Sequence, residues 1–184
     1  IELTGSPLLQ QKTPLEIANE IRTTVKEEVG LTVSIGVSFN KIFAKLGSDM
    51  KKPDAVTVIT RESFKDQIWR LPVSDLLYVG RATTEKLRLY GIRTIGDLAQ
   101  ADRAMLIRRL GVNGEKLWVF ANGLDQSRVM PCDYEIPIKS VGHGITCTAD
   151  LRTNEEVRHV LMELSQEVGA KLRKSKLAAT RIRI

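Results

Sequence analysis

Three lysines in one short stretch have a spacing that could bind an anion. Lys41, Lys45 and Lys52 lie four and eleven residues apart, so on a helix their side chains share one face. Apolar side chains fall on the opposite face: Ile42, Phe43, Leu46 and Met50. A lysine ammonium group acts on a phosphate as a point charge, so this row suits an anionic ligand. The alternative interpretation is the solvated face of an ordinary amphipathic helix.

The elements around the lysines predict a strand–helix–strand unit. An apolar stretch at 31–37 precedes them, a second at 55–59 follows, and Pro53 ends the helix between the two. Residues 1–4 alternate as in a strand, and Thr13-Pro14-Leu15-Glu16 is typical of a helix start. That helix is predicted to run to about residue 29 and to end at Gly30, with an apolar seam formed by Ile17, Ile21, Val25 and Val29. A short helix at 62–69 follows the last strand. The alternating order favours an α/β layer.

The run SIGVSFNKIFAKLGSDMKKPD, residues 34–54, resembles the end of the palm domain in Y-family translesion DNA polymerases, the ImpB/MucB/SamB family. The resemblance implies that Lys45 and Lys52 lie near the triphosphate of the incoming nucleotide. It also implies a parent protein that extends a primer on a DNA template. The 3′ hydroxyl would attack the α-phosphate of a deoxynucleoside triphosphate, with two Mg²⁺ ions as the cofactor.

The carboxylates of this chain do not match that metal site. In the family, an Asp–Glu pair lies on a strand that comes before the position of Ile1, whereas Glu2, Asp49 and Asp54 are scattered singly. Two-metal phosphoryl transfer needs clustered carboxylates. The chain is therefore predicted to contain no catalytic residue and no metal ligand. It is expected to be a fragment without the N-terminal catalytic strands and the fingers, which binds DNA without extending primers.

Residues 73–129 are predicted to be helical. The segment divides into short helices, with predicted starts at Thr94 and Asp102 and predicted ends at Gly91 and Gly111. The last helix is expected after Asn113-Gly114, at 115–121. This unit resembles the thumb of the same polymerases, and its stretch 76–87 resembles a helix–hairpin–helix element, which binds DNA backbone. Free N–H groups at the start of the helix 82–90 could donate to a phosphate. The residues so assigned to DNA are Val79, Gly80, Arg81, Thr83 and Lys86.

The hairpin departs from the family at one position. The usual Pro-Gly-x-Gly is Leu77-Tyr78-Val79-Gly80 here, so that Tyr78 replaces the first glycine. A side chain at that position could keep a phosphate from the closest approach to the backbone. The alternative is a helical hairpin that only packs against its neighbours.

The last part of the chain follows a proline-containing linker at 130–137. Strands are predicted at 138–148 and 178–184, around a helix that begins with the capping pair Thr153 and Glu156. The segment resembles the first half of the little-finger domain, which implies that Lys139, Ser140 and Val141 contact DNA phosphates. The basic run at 171–176 is better interpreted as a solvated helix end.

Together these segments predict an α+β multidomain fold in family order. Residues 1–73 would form the C-terminal part of an α/β palm and 74–129 a small helical thumb with a helix–hairpin–helix. Residues 138–184 would form half of a ferredoxin-like little finger after the linker. Two other functions stay open: a non-catalytic DNA-binding module, and a catalytically inactive relative that acts as a scaffold for repair proteins.

Composition is compatible with these hypotheses. The net charge is +6, divided as +1, +3 and +2 among residues 1–73, 74–130 and 131–184, which suits a polyanionic partner. No apolar run is long enough to cross a bilayer, and the isolated Cys132 and Cys147 indicate a reducing, cytoplasmic setting. The expected partners are primer–template DNA and the incoming nucleotide, with the sliding clamp as a further candidate reached through a missing C-terminus.

Overall fold

The computed structural model describes all 184 residues and divides into two compact units, Ile1–Met130 and Pro131–Ile184. The first unit begins with a small α/β layer. Its helices and strands are α1 (Pro14–Thr24), β1 (Ile35–Ser38), α2 (Lys41–Met50), β2 (Val56–Ile59) and α3 (Phe64–Ile68). Five predicted elements, from the first helix to the short one at 62–69, are thus present, most of them shorter than expected.

β1 and β2 form a two-stranded parallel sheet, in register from Ile35 opposite Val56 to Ser38 opposite Ile59. α2 packs closely against this sheet. The approach depends on Gly36, because a Cβ atom there would overlap the carbonyl oxygen of Ala44. Such close contact at Ala44 and Ser48 holds the middle of α2, which includes Lys45, beside the sheet.

α1 begins as predicted. The Thr13 side chain accepts from the Glu16 N–H and the Glu16 carboxylate accepts from the Thr13 N–H, which completes a capping box. One π-helical turn, Val25–Val29, extends the helix to Gly30, whose φ of 72° ends it. The predicted apolar seam is only partly covered, since Ile17 is buried but Val29 is 62% exposed.

Two predicted strand regions of the first unit are wrong. Residues 1–3 are irregular and lead into a turn at Thr4–Gly5, a 3-10 turn follows at Pro7–Gln10, and residues 31–34 are irregular. The alternation of apolar and polar side chains was present in the first case, but a strand also needs a neighbour to pair with its backbone. Residues 35–38 and 56–59 pair in this way as strands, and Pro72 and Thr94 form a single isolated bridge.

The rest of the first unit is helical, as predicted. Its helices are α4 (Arg81–Leu89), α5 (Ile95–Gln100), α6 (Arg103–Leu110) and α7 (Val112–Ala121). The side chains of Thr94 and Asp102 cap α5 and α6, which confirms both predicted starts. The predicted start of the last helix is wrong, because α7 already begins at Val112 and contains Gly114. There a Cβ would overlap the carbonyl oxygen of Leu106, so this glycine allows α6 and α7 to approach closely.

One apolar core runs through the first unit. It joins α2 and the sheet to the helices that follow, through these fully buried side chains: Ile42, Phe43, Ile59, Ile68, Val73, Leu76, Leu87, Ile95, Leu98 and Leu106. Hydrogen bonds cross the same region, since the Trp69 indole N–H donates to the Ala121 carbonyl at 3.2 Å. The palm-like and thumb-like segments are therefore packed as one body, and the domain boundary at residue 73 stays a prediction.

The second unit is built on α8 (Asn154–Lys174). Thr153 and Glu156 form the predicted capping box at its start. The predicted strands at 138–148 and 178–184 are absent, and the half ferredoxin-like fold is not formed. These two segments make no backbone ladder with each other, and without a paired neighbour an alternating sequence stays irregular. No helix in either unit combines the length and the apolar character needed to cross a membrane.

Candidate phosphate-binding and nucleic-acid-binding sites

Lys45 and Lys52 meet at a single carboxylate. The Nζ atom of Lys45 pairs with Oδ2 of Asp49, one helical turn further on in α2. The Nζ atom of Lys52 lies 2.7 Å from Oδ1 of the same Asp49. The prediction that the two lysines share one helical face is wrong in its geometry, because α2 ends at Met50 and Lys52 lies beyond it. The turn before Pro53 brings Lys52 back to the end of the helix.

Lys41, the third member of the predicted row, points to a different place. Its Nζ atom donates to the carbonyl oxygen of Arg128 at 3.0 Å. Next to it, the Asn40 side chain caps α2 by accepting from the Phe43 N–H at 2.8 Å, and its amide donates to the Gly123 carbonyl. The start of α2 thus serves to hold the segment that leaves α7, and the lysine site is a pair at the other end of the helix.

The pair of ammonium groups is accessible. The side chains of Lys45, Lys52 and Asp49 are 52%, 61% and 43% exposed. Hydrogen bonds from Lys45 and then from Lys52 hold the pKa of Asp49 below its ordinary value, so Asp49 is an anion at neutral pH. Exposed ion pairs of this kind contribute little to stability and exchange readily. The ammonium groups of Lys45 and Lys52 can therefore release the Asp49 carboxylate and bind a phosphate group in its place.

A second carboxylate has a structural role that the sequence did not reveal. Asp54 has φ 54° and lies 2.6 Å from Arg22 Nη1 and 2.7 Å from Lys26 Nζ. Lys26, followed by Arg22, lowers the pKa of Asp54. The partners are 28 and 32 residues apart in sequence, so no local pattern could have predicted the contact. It ties α1 and its π-helical turn to the turn before β2.

The hairpin before α4 contains a tyrosine in a glycine-like backbone conformation. Tyr78 has φ 70°, its side chain is 74% exposed, and its ring centroid lies 5.9 Å from that of Phe120. No side chain caps α4 at Gly80, so the N–H groups of its first turn have no capping acceptor. The start of α4 therefore leaves backbone N–H groups without an acceptor, and the exposed ring of Tyr78 belongs to the loop just before it.

The other hairpin residues differ in what they can offer to DNA. Val79 is buried and its N–H donates to the Leu76 carbonyl at 3.0 Å. Arg81 is 94% exposed and its Nε lies 3.1 Å from Glu85. Thr83 is half-buried and Lys86 is exposed, outside the ion pairs of the chain. The uncapped backbone at the start of α4 and the exposed cations Arg81 and Lys86 are therefore the groups of this set that a phosphate could reach.

The remaining predicted contacts lie in the second unit. Lys139 and Ser140 are exposed and Val141 is half-exposed, all within an irregular segment. Further along the unit, Nζ of Lys171 lies 3.0 Å from Nδ1 of His143. The structure therefore leaves all three predicted residues accessible without bringing them to an ordered strand.

Comparison with known proteins gives a consistent set of similarities. A model of the impB/mucB/samB family matches residues 1–49, and a model of the C-terminal domain of that family matches residues 138–184. DNA polymerase IV of Acetivibrio thermocellus is 55% identical over 169 residues, which are 92% of this chain and 42% of that protein. DNA polymerase IV 1 of Bacillus subtilis is 38% identical over 182 residues, 99% of this chain and 43% of that protein.

A solved structure shares the fold of part of the chain. The crystal structure of DinB from Sulfolobus solfataricus superimposes with a TM-score of 0.57 and 26% identity. The match covers 62% of this chain and 34% of that chain. The chain thus spans about two fifths of the length of the curated relatives that it matches.

Proposed function

This chain belongs to the impB/mucB/samB family, and on that premise we propose that it is part of a DNA-dependent DNA polymerase of the Y family, acting in translesion synthesis. The polymerase would bind primer–template DNA and an incoming deoxynucleoside triphosphate, and elsewhere the sliding clamp. Within it, this chain would supply the site for the triphosphate tail and part of the DNA-binding surface.

One observation carries the proposal for the nucleotide. Two accessible ammonium groups, on Lys45 and Lys52, converge on the two oxygens of Asp49. A triphosphate carries several negative charges, whereas Asp49 carries one, so it can compete for both lysines at once. Asp49 would hold the lysines in place until the nucleotide arrives, and would be released from one or both of them on binding.

The residues of this chain do not fit the Mg²⁺ pair that polymerase chemistry uses. Asp49 is engaged by two lysines, Asp54 is engaged by Arg22 and Lys26, and no three His, Cys, Asp or Glu side chains come together. The proposed polymerase would take its metal-binding carboxylates from other residues. The role of this chain is limited to binding and orienting the nucleotide and the DNA.

Nucleotide binding can be tested on the chain itself. Titration calorimetry with dATP compares the wild type with Lys45→Ala/Lys52→Ala and with Lys51→Ala, which removes a neighbouring exposed lysine outside the ion pairs. Loss of two phosphate contacts should weaken dATP binding at least about a hundredfold, since each charge-assisted contact is worth roughly 1.5–3 kcal/mol. Lys51→Ala should stay within about twofold. Equal affinity in all three proteins would contradict the proposed site.

DNA binding by the same proteins separates the polymerase from the alternative functions. The chain should bind a duplex with an affinity that falls as salt rises, and the lysine variants should bind it normally. DNA binding without any dATP binding would favour a non-catalytic DNA-binding module. Absence of both would contradict the proposed function as a whole.

A further inference from the structure

Two unpaired arginines line one depression at the far end of α4. The depression has a volume of about 360 Å³ and is lined by Arg88 and Arg93. Neither guanidinium group takes part in an ion pair of the chain. By contrast, Arg81 and Arg103, from the same helical region, each pair with a glutamate. The depression therefore combines two cations, neither of which has a carboxylate within ion-pair distance.

The backbone on both sides of the depression is fixed by hydrogen bonds. The Arg88 carbonyl accepts from the Gly91 N–H at 3.0 Å, where Gly91 has φ 76° and turns the chain. The Arg93 carbonyl accepts from the Val73 N–H at 2.9 Å, and its N–H donates to an Asp97 carboxylate oxygen at 2.9 Å. The N–H groups of Arg93 and Thr94 both donate to Oδ2 of Asp97 and lower its pKa, and the Arg93 charge adds to that shift, although the two side chains form no ion pair. The two side chains therefore extend from a rigid turn.

The two arginines lie away from the hairpin. Gly80 and Arg81 are at the start of α4, and Arg88 is near its end. At 1.5 Å per residue, about 10 Å of helix separates the two places. A guanidinium group matches the geometry of a phosphate, with two N–H groups that can donate to two oxygens. Two of them around one open depression suit a phosphodiester group that passes over the surface.

We propose that Arg88 and Arg93 form a second phosphodiester-binding site, separate from the hairpin, through which this chain holds the backbone of a nucleic acid. The proposal rests on the proposed function in one respect, since it takes the ligand to be the DNA that the polymerase binds. The residues 74–130 carry a net charge of +3, so the surrounding surface favours the approach of such a polyanion. An acidic protein segment is the competing occupant.

The test is duplex binding by fluorescence anisotropy at several salt concentrations. Arg88→Ala/Arg93→Ala is compared with Arg108→Ala/Lys116→Ala, which removes two exposed charges from the same residues 74–130, outside the depression. All four side chains are exposed, and thermal unfolding followed by circular dichroism checks that the fold is kept. We expect the first variant to bind about tenfold more weakly, with a salt slope smaller by roughly 2, because two phosphate contacts are lost.

Three other outcomes would contradict the proposed phosphodiester-binding site. An affinity and slope unchanged in Arg88→Ala/Arg93→Ala, or changed equally in the control variant, would show that the two arginines make no specific contact. An octaglutamate peptide that binds the wild type but not Arg88→Ala/Arg93→Ala, while both bind duplex equally, would assign the depression to an acidic protein. A wild-type chain that binds no duplex would contradict this inference and the DNA-binding part of the proposed function together.

Discussion

The two units of the chain follow the same local rules but differ in burial. The first unit places whole side chains such as Leu87 and Phe43 out of contact with water, whereas the second unit buries no residue. Both nevertheless contain well-formed helices with complete capping boxes, at Thr94 and at Thr153. Local capping signals therefore set the starts of these two helices in the same way, while strands and a core require neighbours that only the first unit provides.

The largest expected contrast concerns one leucine from each unit. Leu87→Ala should lower the free energy of unfolding of the first unit by about 2–5 kcal/mol, because a fully buried side chain leaves a cavity. Leu164→Ala should cost the second unit less than about 1 kcal/mol, because that side chain is already half-exposed. Urea unfolding followed by the amide NMR signals of each unit measures both values. Similar losses would show that the second unit has a core of its own.

The helix caps should behave alike in the two units. Thr94→Ala and Thr153→Ala each remove one accepting hydroxyl and should each cost about 1 kcal/mol. For α8, which has no buried side chain, the loss should appear as an approximately fivefold drop in hydrogen-exchange protection. Conservative variants to serine should restore both. An unchanged protection of α8 would mean that its start does not depend on the cap.

Acid should weaken both caps in the same direction. Backbone N–H groups of Arg93 and Thr94 lower the pKa of Asp97, and those of Arg152 and Thr153 lower the pKa of Glu156. A carboxylate with a lower pKa in the folded chain stabilises it fully above its unfolded pKa of roughly 4, and less as the pH falls through the folded value. Asp97→Asn and Glu156→Gln should therefore flatten the fall in stability of their units between about pH 5 and pH 3. Unfolding midpoints against pH provide the measurement, and slopes equal to those of the wild type would contradict it.

The smallest expected effects concern two residues with positive φ. Tyr78→Gly relieves about 1–2 kcal/mol of strain from the left-handed backbone conformation. The same variant loses the contact with Phe120 and gives the unfolded chain more conformational freedom, so the net change in the free energy of unfolding should be near zero. Tyr78→Ala keeps the strain and loses the contact, and should be less stable than Tyr78→Gly. Lys176→Gly, in the second unit, loses no aromatic contact and should be slightly stabilising. Thermal unfolding measures the stability of each variant. A Tyr78→Gly protein less stable than Tyr78→Ala would contradict the assignment of strain at Tyr78.

The sequence predicted most of the features that depend on residues close together in the chain, such as helix caps. The caps at Thr13, Thr94, Asp102 and Thr153 are confirmed, because a hydroxyl or carboxylate bonds an N–H two or three residues away. The strands at 1–4, 138–148 and 178–184 could not be predicted reliably, because alternation does not identify a pairing partner.

In the candidate site, too, features set by residues close in sequence differ from features set by contacts in three dimensions. The spacing of Lys45 and Lys52 predicted a shared helical face, which is wrong, and their meeting at Asp49 could not be predicted from it. The helix ends two residues before Lys52, and the turn that follows brings this lysine back to the helix end. The unpaired state of Arg88 and Arg93 was likewise invisible, because it depends on which acids lie within reach in three dimensions.

The central claim is that the lysine pair at Asp49 binds the phosphate tail of a nucleotide. Its most direct test is an NMR titration that follows the side-chain Nζ signals of the lysines and the carboxyl carbon of Asp49. With dATP, the account predicts shifts for Lys45, Lys52 and Asp49 that saturate together, little change at Lys51, and no comparable effect of deoxyadenosine, which has no phosphates. Signals of Lys45 and Lys52 that stay in place with dATP, or that respond equally to deoxyadenosine, would contradict it.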